Sequence, residues 1–312
     1  KLLGALLWSA DTLPGTPVVL PPRPVWLLIL ATLTGVLALV RAGRNRRSGA
    51  GPRPQKLAVL ASTLGALLLL PWSLAPRSAQ VHIMDVGHGT GSLIRLPSGE
   101  IWIFDAGSRD RLRTAAEALL PQLAQWDGPN PNYVLSHNDL DHRSALSQLI
   151  PRHPPKTWTG HLPQDLAPAL PKTCKVRDHT SGSLALAQEP GASITLLRGT
   201  DLPGNEGSRT LVLDSDKARI LLWGDAEAQG LQAMLPLLKN TAKPTYLLLP
   251  HHGSDSPHIT PLLNQTQPIQ TGTSTSSPAQ LTAELHRRNS PPSQTHTQGP
   301  FSWPNPNTTP NP

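Results

Sequence analysis

The chain has 312 residues, a net charge of +7, 38% hydrophobic and 15% charged residues. Its 35 prolines argue against an all-helical protein, and one cysteine, Cys174, excludes an internal disulfide framework and a cysteine-based zinc finger. The charge is uneven. Residues 1–77 hold nine Lys/Arg and one acid, Asp11, whereas the rest holds eighteen and nineteen. Every histidine lies in that second part. The chain therefore reads as a basic, apolar arm, a near-neutral, His-rich body over 78–288, and a tail over 289–312 rich in Pro, Ser, Thr, Asn and Gln, which is expected to be disordered.

In the arm, Val25–Val40 is uncharged and apolar and would make roughly 24 Å of helix. Leu57–Pro76 is a second such run, and Trp26 and Trp72 sit near the run ends, where interfacial aromatics collect. A soluble helix would show a polar face. The pair is expected to form two transmembrane helices. The segment between them carries Arg41, Arg44, Arg46, Arg47, Arg53 and Lys56 with no acid. The positive-inside rule places it in the cytoplasm and the body on the outer side. Residue 1 is Lys, so further spans are expected upstream.

In the body, Gln80–Val86 and Ser92–Leu96 read as strands around the turn Gly87-His88-Gly89-Thr90-Gly91, with Ile101–Phe104 as a third. Arg111–Ala124 has helical spacing, with a stop or kink expected at Pro121. Tyr133–Leu135 is a short strand, and a helix is expected from His142. A Pro-rich middle section follows. Thr210–Leu213 and Arg219–Trp223 read as a hairpin, then a helix over Glu227–Leu238, an apolar run Tyr246–Leu249 and a last helix over Pro278–Arg288. This is an α/β (α+β) pattern of sheets covered by helices.

The densest chemistry is Ser136-His137-Asn138-Asp139-Leu140-Asp141-His142, directly after a strand. Alternate positions 137, 139 and 141 can converge from an extended loop, and His142 can point from the first helical turn. Imidazole with carboxylate suits Zn²⁺ or Mn²⁺. Phe104-Asp105-Ala106-Gly107, Trp223-Gly224-Asp225 and Pro250-His251-His252-Gly253-Ser254 each end a strand as well. Taken alone, Asp225 is more often a helix N-cap, and His251-His252 read as well as surface residues.

The order Asp85-Val86-Gly87-His88-Gly89, Asp105-Ala106-Gly107, His137-x-Asp139-x-Asp141-His142, Gly224-Asp225 and Pro250-His251-His252-Gly253-Ser254 resembles the metallo-β-lactamase-like superfamily. It is most similar to the C-terminal part of ComEC-type competence proteins, the DNA uptake channels of transformable bacteria. The resemblance implies an αββα sandwich preceded by two transmembrane helices, in a multi-pass protein of the cytoplasmic membrane. It implies two divalent ions, Zn or Mn. His137 and Asp139 would serve one and Asp141 and His142 the other, with Asp225 between them and His251 or His252 completing the second. Asp139 and Asp141 would be the catalytic carboxylates. Asp85, Asp105 and Asn205 would orient ligands rather than bind. His88 reads as a loop change of the same supporting kind, in preference to an extra ligand.

Such a pair of cations clamps a phosphodiester and lowers the pKa of bound water. The implied partners are DNA, single-stranded or duplex, membrane lipid and other competence proteins; Arg109, Arg111, Arg113 and Arg143 fall near the motif loops and read as ordinary surface helix residues first and as phosphate contacts second. The substitutions at His88 and Thr90, and Arg143-Ser144-Ala145 after His142, depart from the family pattern. They keep a non-catalytic, metal-binding channel part in view beside the nuclease. A different membrane-anchored metallo-hydrolase is the third reading.

Overall fold

The structure, a computed structural model, describes residues 78–110, 114–126, 128–254 and 259–274, with 35, 285, 293–295 and 301–303. The chain divides into two units, Lys1–Pro76 and Arg77–Pro312. Both apolar runs of the arm lie outside the described residues. Among the described residues, no helix is long and apolar enough to cross a membrane.

Among the described residues, the body is built on two seven-stranded sheets. In sheet one, β1 (Gln80–Ile83), β2 (Gly91–Arg95) and β3 (Ile101–Ala106) run antiparallel. The sheet continues in parallel through β4 (Asn132–Val134), β5 (Thr157–Thr159) and β6 (Lys175–Arg177). Helix α1 (Thr114–Trp126) connects β3 to β4, and the short helices α2 (Leu140–Arg143) and α3 (Leu146–Leu149) follow β4. Sheet two repeats the plan. Its antiparallel part is β7 (Gly182–Glu189), β8 (Ala192–Arg198), β9 (Arg209–Ser215) and β10 (Arg219–Trp223). Helix α4 (Ala228–Met234), strand β11 (Thr245–Leu248), helix α5 (Ile259–Thr266) and strand β12 (Gln270–Thr273) complete it, with β10, β11 and β12 parallel.

Successive side chains of a strand point to opposite faces, and here both faces are buried. Ile94, Phe104 and Val134 of sheet one meet Ile194, Leu213, Ile220, Leu222 and Leu248 of sheet two in a central core. The alternate residues Leu93, Ile103 and Tyr133 pack outward on Leu119, Leu123, Trp126, Leu146 and Leu149 of the helices. Leu221 and Leu247 do the same beneath Leu231, Met234, Leu262 and Leu263. The layers are helix, sheet, sheet, helix, as expected.

Three sequence expectations change. Helix α1 runs through Pro121 to Trp126. Leu123 and Trp126 are buried in that last stretch. Burying each stabilises by roughly 1.5–3 kcal/mol, which offsets the ~3 kcal/mol cost of an interior proline. The Pro-rich middle, left without elements, holds β5 to β8. Last, the segment expected to be a disordered tail contributes β13 (Ser293–Gln294), parallel to β12, and β14 (Phe301–Trp303), antiparallel to β1. Trp303 drives this, because it is buried in the central core against Tyr246, ring centroids 5.7 Å apart. Of the helix expected over Pro278–Arg288, only Leu285 lies within the described residues, and it packs in the core of sheet two.

Candidate metal centre

The carboxyl ends of β3, β4, β10 and β11 bring their polar residues to one edge. Sheet one supplies Asp105 at the end of β3, then Ser136 and His137 after β4, then Asp139 and the first turn of α2 with Asp141 and His142. Sheet two supplies Ser208 just before β9, Asp225 just after β10, and His251 and His252 after β11. The two strand ends touch at Gly224. A Cβ there would collide with Ser208 and would lie 2.6 Å from the Ser136 Cβ, so only glycine fits.

Asp141, His142, Asp225 and His252 each place one donor atom within 4.8 Å of the others. Asp225 is shared: Oδ1 is 3.0 Å from His142 Nε2, and Oδ2 is 3.4 Å from His252 Nε2. The other neighbour of His252 Nε2 is Asp141 Oδ2 at 3.6 Å. His137 lies beside them, its ring centroid 4.1 Å from that of His142 and its Nε2 3.6 Å from Asp139 Oδ2. Asp139 is 56% exposed, so it stands on the open side.

A divalent ion fits these residues. His137 Nε2, His142 Nε2 and both ring nitrogens of His252 are buried without a hydrogen bond. Orphaned buried polar atoms are rare in folded proteins. Ligands about 2.0–2.1 Å from a tetrahedral cation stand roughly 3.3 Å from each other, which matches the imidazole–carboxylate spacings of 3.0–3.6 Å.

The supporting contacts are specific. Asp105 Oδ2 is 2.7 Å from His142 Nδ1, and Asp105 also accepts hydrogen bonds from Ser136 N and Oγ, both at 2.7 Å. The partner of His142 Nδ1 leaves its Nε2 directed at Asp225. Ser136 Oγ is 3.0 Å from His137 Nδ1, and Ser208 Oγ is 3.3 Å from the same nitrogen while accepting from Asp225 N at 3.0 Å. Ser136 and Ser208 are roles the sequence reading missed. Their signal was their place, one immediately before the His-Asp motif and the other closing Asn205-x-x-Ser208. Three of the site residues sit in left-handed backbone: Asp105 at φ 55°, His251 at 47° and His252 at 53°. Each such position costs on the order of 1–3 kcal/mol, and such strain clusters at functional sites.

Burial would lower the His142 pKa, but the Asp225 and Asp105 carboxylates outweigh it and hold the ring well above its ordinary value. His252 is likewise pushed up to about 9 against its burial, chiefly by Asp225 with Asp141. Asp225 lies well below the usual carboxylate range, since His142 and His252 overcome the effect of burial. Asp141 falls to about 2 against burial, held down by the adjacent His252 and His142 imidazoles. His137 differs: burial, then His142, pulls it down to about 4. In the metal-free protein, His142 and His252 stand within ion-pair range of the Asp225 carboxylate.

The remaining expected residues lie around this cluster. His251 is at the rim, 4.0 Å from Asp225 and 3.5 Å from Glu227. His88 approaches Asp141 at 3.9 Å. Asp85 accepts from Gly87 N at 3.4 Å and shapes that turn. Asn205 donates to Glu227 at 2.9 Å and does not enter the cluster. Arg143 is engaged by the Asn138 carbonyl and Asp165, which ties down the motif loop. Arg109 is exposed, and Arg111 and Arg113 lie outside the described residues.

No family model matches the chain. It is 28% identical over 222 residues to Recombination protein 2 of Haemophilus influenzae, covering 69% of this chain and 27% of that protein. It is 25% identical over 268 residues to Competence protein ComA of Neisseria gonorrhoeae, covering 84% of this chain and 35% of that one. The chain thus spans about a quarter to a third of the length of these relatives. Among solved structures it resembles Igni18, a metallo hydrolase of Ignicoccus hospitalis, with a TM-score of 0.46, 14% identity, and coverage of 72% of this chain and 98% of that one. In sequence the chain thus resembles competence and recombination proteins of the ComEC type, and its two paired sheets with helical outer layers have the αββα arrangement expected of a metallo-β-lactamase-like body.

Proposed function

We propose that the body is a metal-dependent phosphodiesterase acting on DNA, carried by the apolar arm at the outer face of a membrane as part of a competence-type uptake channel. One observation carries the catalytic half: Asp141, His142, Asp225 and His252 converge with buried, unpartnered imidazole nitrogens. The names of the relatives, recombination and competence proteins, support DNA as the substrate class. The six basic residues of the segment 41–56 support the outward placement.

His142, Asp225, His252 and Asp141 would hold the buried part of a divalent centre, with His137 and Asp139 adding donors toward the open side. Bound there, divalent cations supply a Lewis acid for a phosphoryl oxygen and a lower pKa for water. The chain's own residues set the geometry. Asp105 fixes the His142 ring, Ser136 and Ser208 fix His137, and Asp225 offers one oxygen to each of two imidazoles. Asp139 and Leu140, both exposed, flank the side from which a strand would enter.

The test is cleavage of a labelled single-stranded DNA by the full chain with Zn²⁺ or Mn²⁺. Cleavage is expected, and it should vanish with chelator and in Asp141→Ala. Metal uptake without cleavage would make the body a non-catalytic part of the channel.

A further inference from the structure

His88 reads in the sequence as a change in a glycine-rich turn. The structure places it just outside the four-residue cluster, at the Asp141 end. Its backbone is pinned on both sides: His88 N donates to Asp110 Oδ1 at 2.9 Å, and the His88 carbonyl accepts from Arg109 N at 2.7 Å. The turn is fastened to the motif helix itself, because Thr90 N donates to the Asp141 carbonyl at 2.9 Å. Gly89 lets the two backbones come this close; a Cβ there would lie 2.6 Å from the Asp141 oxygen and would clash with the Gly107 carbonyl. The turn is thus built against Asp141, and the ring it presents faces that carboxylate.

Asp141 Oδ2 stands between two imidazoles, with His252 Nε2 at 3.6 Å and His88 Nε2 at 3.9 Å. The ring centroids of the two histidines are 4.8 Å apart. Both separations from the carboxylate exceed hydrogen-bond length. Donors around one tetrahedral cation stand roughly 3.3 Å apart, so both imidazoles lie a few tenths of an ångström outside the spacing to which a bound ion would draw them. His88 is 34% exposed at its side chain, so it closes this end of the cluster from the solvent side.

We infer that His88 is an additional metal ligand, seated with Asp141 and His252, that biases this centre toward zinc over manganese. A second imidazole beside Asp141 raises the nitrogen share of the donor set. Imidazole suits zinc, whereas manganese favours carboxylate and water oxygen. The inference rests on the metal-binding half of the function proposed above and is independent of cleavage.

The experiment uses the full chain, stripped with chelator and titrated with Zn²⁺ or Mn²⁺ alone in competition with a chromophoric chelator. His88→Gln and His88→Ala should both lose zinc affinity by at least the about tenfold that removing an outer hydrogen-bond partner costs a metal site. Their manganese affinity should change by less than about threefold, since oxygen donors remain. In the Co²⁺-loaded protein, the visible absorption should shift in both variants. Equal far-UV circular dichroism and metal-free melting midpoints would show that the variants are folded. Zinc affinities within about twofold of the parent and an unchanged cobalt spectrum would overturn the inference, provided Asp141→Ala loses metal. Should the parent take up no metal, both this inference and the proposed function fall. Should the His88 effect appear without DNA cleavage, the inference stands and only the nuclease reading falls.

Discussion

Sheet one and sheet two share a plan, an antiparallel set followed by parallel strands with helices outside, and both offer their strand ends to the same edge. They contribute differently. Sheet one packs His137, Asp139, Asp141 and His142 into a single loop and turn, with Asp105 behind them. Sheet two sends single residues from separate strands: Ser208 before β9, Asp225 after β10, and His252 after β11. The first contribution is dense and partly exposed, with Asp139 in solvent. The second is sparse and buried, and Asp225 touches imidazoles from both sheets. Ligand density along the chain is therefore a poor guide to energetic weight: the shared residue comes from the sparse side.

The largest test of that contrast removes the shared carboxylate. Asp225→Ala leaves buried, protonated His142 and His252 short of a counter-charge. Breaking a buried pair this way costs about 3–5 kcal/mol. Urea unfolding in chelator should show it, and a loss below that of any single sheet-one ligand would break the comparison. A smaller effect is expected from pH in the metal-free protein. The raised pKa values of His142 and His252 stabilise the fold fully below about pH 6.5. That contribution is lost as pH rises through about 9, the folded value of His252. His137, lowered to about 4, acts in the opposite sense, and stability falls as pH drops from about 6.5 toward 4. Chelated protein should be most resistant to urea near pH 6–7. Metal affinity should rise with pH instead, because ligands must lose their protons. The smallest effect sharpens the sheet-one side. Asp105→Asn keeps the left-handed backbone, which Asn tolerates, but removes the charge behind His142. Zinc affinity measured by chelator competition should fall about 10–100-fold with little change in fold.

The contrast also explains what could be read from sequence. The strand-end motifs were legible because four donors within six residues leave few bland alternatives, and the flanking strands β1 to β4 and β9 to β11 carry clear apolar runs. Strands β5 and β6 are three residues long and gave no period to read. β7, Gly182–Glu189, mixes small residues with two leucines and two polar residues, and lies in a section that its prolines marked as irregular. β13 and β14 are held by tertiary pairing and by one buried tryptophan, which local composition does not report. Ser136 and Ser208 escaped for a related reason, since a hydroxyl acquires its role only when two distant strand ends meet.

The pairing of Val81 with Trp303 joins the body's first strand to one made almost at the other end of it. As the polypeptide leaves the ribosome, that edge stays open until the distant partner has been translated. Contacts so far apart in sequence slow folding, and open strand edges invite misassembly. The nascent domain thus passes through a stage in which its sheet is nearly complete but unsealed, the period when a holding chaperone would matter most to its yield.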